Sequence, residues 1–152
     1  MKKISIVLLI GFFLVACAVA PVRMVEDQDS AAKTALLRER AKEFWTASVK
    51  EDYEKVFYLF DPFFQAKTNK HLFIGSRGVV KYQSFEIKDI KVVGNVGHVT
   101  LNVVYSIPKI KVKNQEVSRP ETPAEFEESW LFVGDNWYKE HKDDETSEST
   151  TY

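Results

Sequence analysis

The chain has a single cysteine, Cys17, and only three histidines, His71, His98 and His141, each isolated from the others. One thiol rules out an intrachain disulfide, and neither a Cys pair nor an H-x-x-x-H spacing is present to hold zinc. No metal and no cofactor are implied. Charge of one sign is lacking too, since 21 basic residues face 22 acidic ones. Nothing therefore calls for a nucleic-acid partner, which a basic surplus would attract through its phosphates. The one strongly apolar run, Ile6 to Ala20, is about 15 residues, short of the roughly 20 that a helix needs to cross a bilayer. Whatever domain this chain builds rests on hydrophobic packing.

What is present begins with that run. Met1, Lys2 and Lys3 put positive charge ahead of it, and Leu14-Val15-Ala16-Cys17 closes it with small residues before the thiol, the layout of a targeting segment. These residues resemble the lipobox of bacterial lipoproteins. The resemblance implies cleavage between Ala16 and Cys17, a diacylglyceryl thioether on Cys17 and a further acyl chain, such as palmitate, on the new amine. A thiolate is the nucleophile such a step needs. Two or more acyl chains hold a protein at a membrane where one does so marginally, so the membrane, reached through the lipid on Cys17, is an expected partner. An ordinary secretory signal cut after Ala18 or Ala20, or an uncleaved anchor, is the alternative. Without Lys2 and Lys3 the basic residues fall from 21 to 19 against 22 acidic ones, a net charge of −3. Ala18 rather than Asp follows Cys17; in a host with two membranes the resemblance then implies the outer membrane, facing the periplasm.

The lipobox resemblance implies a signal peptide at 1–16 and a lipidated Cys17, and composition adds a flexible tether through residue 30, a domain at 31–140 and an acidic, Ser/Thr-rich tail at 141–152 expected to be disordered. Ser30 is placed to cap a helix running to about residue 50, with Ala35, Leu36, Ala41, Phe44, Trp45 and Val49 on the helical period. Asp52 is placed to cap a second helix that turns Val56, Phe57, Leu59 and Phe60 inward, and Asp61-Pro62 opens a third over 63–67.

Beyond Gly78 the period becomes two. Phe85 and Ile87 share one parity and Ile90 and Val92 the other, which predicts a β-bulge near Lys88-Asp89. Gly94-Asn95-Val96-Gly97 reads as a hairpin turn, and Val99, Leu101, Val103, Tyr105 and Ile107 form the buried parity of the next strand. Residues 108–123 read as a long hairpin connection whose arms extend the sheet. Phe126, Trp130 and Phe132 alternate along a further strand, Gly134-Asp135-Asn136 turns the chain, and Trp137-Tyr138-Lys139 closes the last one. The sum is an α+β domain of about three N-terminal helices packed on an antiparallel sheet of about four strands.

The segments Ala41-Lys42-Glu43-Phe44-Trp45, Glu51-Asp52-Tyr53-Glu54-Lys55-Val56-Phe57, Leu59-Phe60-Asp61-Pro62-Phe63 and Trp130-Leu131-Phe132-Val133-Gly134-Asp135-Asn136-Trp137-Tyr138 resemble the NTF2-like superfamily, the cone-shaped fold also called cystatin-like. The resemblance implies a curved sheet around the long helix and a pocket between them, used in different members for catalysis, binding or pairing. Fold alone does not choose among these.

Candidate acids or bases for such a pocket are His98, Asp52, Tyr53, Asp61 and Tyr105. Asp52 and Asp61 are better explained as helix caps, and His98 sits on the wetter parity beside a turn. Phe57, Tyr105 and Trp130 are the residues expected to line a ligand pocket, with ordinary core packing as the competing role. The leading expectation is a non-catalytic envelope lipoprotein that binds a partner protein or a small apolar ligand. An NTF2-like enzyme of the isomerase, dehydratase or hydrolase kind, using His98 or an Asp, is the alternative, and a homodimerisation module is a third.

Overall fold

The computed structural model describes residues 23–112 and 115–142. Ala16 and Cys17, and the tail beyond Lys142, lie outside them. The elements run α1 (Arg23–Val49), α2 (Tyr53–Leu59), α3 (Pro62–Lys67), α4 (Lys70–Gly75), β1 (Lys81–Val93), β2 (Val96–Val112), β3 (Gln115–Val133) and β4 (Asn136–Lys139). The strands form one antiparallel sheet in the order β1-β2-β3-β4. This is the expected α+β architecture, with four helices among the described residues instead of three. The additional one, α4, is capped by Asn69, whose Oδ1 accepts from the His71 and Leu72 amides at 2.9 and 3.2 Å.

The first helix begins well before Ser30. Ser30 is no cap; its carbonyl accepts from the Thr34 hydroxyl at 2.8 Å. Part of the segment read as a tether is therefore helical. Acidic side chains suit the positive end of a helix, and Asp29 also pairs with Lys33 one turn on at 3.3 Å. The buried stripe of α1 is Leu37, Ala41, Phe44, Trp45 and Ser48. Ala35 and Leu36 are exposed: Leu37, one residue later, is the one in line with Ala41 and Phe44 at helical spacing.

Both expected caps hold. Asp52 Oδ1 accepts from the Lys55 amide at 3.1 Å, and buried Asp61 accepts from the Phe64 amide at 2.9 Å. The second oxygen of Asp61 takes the His141 amide at 3.2 Å, and the His141 ring stacks on Phe64 at 4.2 Å. The fold consequently continues past residue 140, because an aromatic ring has a partner there.

Helix α1 touches both β1 and β4, the two edge strands, so the sheet wraps around it. Bulges help it do so, at Ile87/Asp89 as expected and also at Tyr82/Ser84. Val99, Leu101 and Val103 of β2 are buried beneath the helix. Close approach there depends on Gly97: a Cβ at that position would stand 2.4 Å from Leu37 Cδ2 and 3.2 Å from the Trp137 ring. The arms of β2 and β3 stay paired out to Val112 and Gln115, where Lys109 meets Glu116 at 2.8 Å.

One surface cluster ties α1 to α2. Glu43 accepts from Arg40 at 2.7 Å and from Lys55 at 2.9 Å, and the hydrogen bond from Lys55, followed by the charge of Arg40, outweighs desolvation and lowers its pKa below 4.5. A carboxyl whose pKa is depressed by folding adds stability above its unfolded pKa and loses it as pH falls. The side chain is 35% exposed, so the contribution is under about 1 kcal/mol. Glu43→Gln should cost that little near pH 7, and the difference should close as pH falls below the ordinary carboxylate range. Urea midpoints across a pH series would measure it.

Candidate functional site

Between α1, α2 and the concave face of the sheet lies a cavity of about 240 Å³. Its walls are mostly aromatic: Phe44 and Trp45 from α1, Phe60 after α2, Tyr82 from β1 and Phe126 from β3. Trp45 meets Tyr82 edge to face at 5.1 Å, and Phe44 meets Phe60 likewise at 5.4 Å.

A carboxylate is buried in this aromatic setting. Glu128 of β3 is 6% exposed, and its Oε1 is 2.7 Å from the Lys139 ammonium on β4. Its Oε2 accepts from two indoles, Trp45 Nε1 at 3.3 Å and Trp130 Nε1 at 3.2 Å. A charge taken out of water is tolerated only when it is paired and hydrogen-bonded, and here three donors from three elements do so. Lys139 is itself seated 5.3 Å over the Phe44 ring.

Polar groups also line the cavity elsewhere. Tyr53, at the first turn of α2, places a buried hydroxyl there that has no hydrogen-bond partner among the described residues. Arg77, in the link between α4 and β1, lines the same cavity and stacks 4.2 Å over Phe73. Burial raises the pKa of both Tyr53 and Tyr82. Each phenol is therefore a neutral O–H at physiological pH, able to donate.

The expected site residues fall elsewhere, with one exception. Phe57 and Trp130 are core residues, and Tyr105 accepts from Arg119 on the β-arm; none of the three lines the cavity. Phe57 packs against Phe73 and Phe64 of the neighbouring helices, while Trp130 acts one layer back, through Glu128. His98 is exposed and registers against Lys91 and Ser129 on the flanking strands, and Asp52 is an exposed cap. Neither reaches the cavity. Tyr53 alone of the candidate acids and bases lines it. Among the described residues no three His, Cys, Asp or Glu side chains gather as a metal would require, and no helix is long and apolar enough to cross a membrane.

Fold and site together define an α+β cone with an aromatic cavity and a paired, buried carboxylate in its wall. No family model and no curated protein matches the chain. Among solved structures it is similar to a SEC-C motif containing protein from Rhodopseudomonas palustris, with 15% identity over 78% of this chain and 83% of that one and a TM-score of 0.50. It is also similar to a candidate dehydratase of the NTF2-like family from Streptomyces avermitilis, with 11% identity over 74% and 95% and a TM-score of 0.48. An NTF2-like protein with a cystatin-like fold from Novosphingobium aromaticivorans shows 8% identity over 80% and 86%, again at 0.48. Identities this low carry no conclusion about chemistry.

Proposed function

We propose that the mature chain is a lipid-anchored module of the bacterial cell envelope that holds a small ligand in its cone without transforming it. The anchor is argued from Leu14-Val15-Ala16-Cys17, and the envelope location, the outer membrane in a two-membrane host, follows from it. The binding role is argued from the cavity. The observation that carries it is the state of Glu128: a general base must meet the proton it removes, whereas this carboxylate is already engaged by Lys139, Trp45 and Trp130. It braces the wall of a preformed cavity, and a preformed apolar cavity with a few polar groups is the usual form of a ligand site.

A second reading, an enzyme, is favoured by one fact, that Glu128 is a buried acid at such a cavity. Turnover of a metabolite by the purified chain would establish it and displace the binding role. The anchor is tested by expression in a bacterium fed a labelled palmitate analogue. The wild-type chain should carry label and sediment with membranes, and Cys17→Ser should carry none and lose membrane retention. An unlabelled wild-type chain released after Ala18 or Ala20 would overturn the anchor.

A further inference from the structure

The charges around the cavity do not cancel. Glu128 is answered by Lys139, and Glu51, beside Tyr53, is answered by Lys81 at 2.6 Å. Arg77 is left over: among the described residues no carboxylate pairs with it, and its guanidinium rests on Phe73. Arg77, Tyr53 and Tyr82 all line this cavity, and the Tyr53 hydroxyl oxygen lies 3.7 Å from where a Cβ on Gly78, the residue after Arg77, would stand, so one fixed cation and two neutral O–H donors share its wall. The Tyr53 hydroxyl is buried with nothing to bond among the described residues, a desolvation cost that an acceptor would relieve.

We propose that the cavity takes a compact carboxylic acid, its carboxylate on Arg77, Tyr53 and Tyr82 and its apolar body among Phe44, Trp45, Phe60 and Phe126. This rests on the ligand-binding reading and gives it a ligand class. Guanidinium and carboxylate are matched in charge and in planar geometry. Size limits the remainder: about 240 Å³ is below the roughly 300–1,000 Å³ of sites for drug-sized ligands, so the acid is a single ring or a short branched chain.

The test is calorimetric titration of the full-length chain in detergent with benzoate and cyclohexanecarboxylate, and with their uncharged counterparts benzamide and cyclohexylmethanol. The acids should bind at least about tenfold more tightly than the neutral compounds. Arg77→Gln should remove most of that preference, weakening the acids far more than the neutral compounds. Tyr53→Phe, which keeps the ring, should weaken the acids several-fold. Equal binding of acids and neutral compounds, or an Arg77→Gln variant that keeps the preference, would overturn the acid specificity and leave a ligand site standing. Failure of every compound to bind the wild-type chain would overturn both.

Discussion

Lys139→Met should lower the unfolding free energy by about 3–5 kcal/mol, because it strands the Glu128 carboxylate in the core without its cation. The two side chains are 18% and 4% exposed, so little water can replace the lost ammonium. The two indole donors remain, but they share one oxygen, Oε2, and Oε1 is left bare. A small domain has only about 5–15 kcal/mol in total, so the variant stands near the edge of folding. The pair itself is not a source of that much stability, since the desolvation of both charges offsets most of their attraction. Glu128→Met combined with Lys139→Met should therefore recover most of the loss, a contrast that guanidinium midpoints of the two single variants and the double variant would read directly. A cost below about 1 kcal/mol for Lys139→Met would mean that the pair behaves as a solvated surface bridge.

That pair also shows how much of the site could be read in advance. The turn at Gly134-Asp135 has φ values of 54° and 62°, the left-handed conformation of a two-residue hairpin, and such a turn fixes the register of the strands it joins. Counting back from it places Trp130 opposite Lys139, as observed. Glu128 is two residues from Trp130 and so on the same face as Phe126, Trp130 and Phe132. An acid on a buried parity, diagonal to a lysine across a tight hairpin, was thus legible. It is easily passed over because the large apolar residues on either side dominate the alternation. The caps Asp52 and Asp61 and the parity of Val99, Leu101 and Val103 were legible for the same reason: each is fixed by neighbours a few residues away.

The rest depends on how distant elements meet. Arg77 follows α4, a helix of six residues with little periodicity to announce it, and it reaches the cavity only because α2 and α4 pack together through Phe57 and Phe73. No local pattern places Arg77 beside Tyr53 and Tyr82. The same holds for Phe57 and Trp130, which were recognisable as inward-facing but not as lying behind the cavity wall. Inward is a local property of a strand or helix. Which inward residues leave a gap between them is settled by the angle at which the layers meet.

Trp130→Ala should be the second large loss, about 3–5 kcal/mol, the usual range for deleting a fully buried tryptophan. Its indole is 0% exposed, lies opposite Gly97 on β2 and meets Phe44 edge to face at 6.0 Å. The truncation opens a cavity that the backbone cannot close, because Gly97 is already in tight quarters with Leu37 and Trp137. Trp130→Phe separates the two jobs of this residue. It keeps most of the ring but removes a donor from Glu128 Oε2, at a cost of about 1–3 kcal/mol for a weakened buried acceptor, toward the lower figure because Trp45 still donates to the same oxygen. In a Glu128→Met, Lys139→Met background that donor has nothing to satisfy, so the hydrogen-bond part of the Phe penalty should vanish while the Ala penalty persists. Unfolding midpoints for the two substitutions in both backgrounds form the cycle. If the Phe penalty is unchanged without the carboxylate, shape alone accounts for Trp130, and Trp45 and Lys139 suffice to hold Glu128 in place.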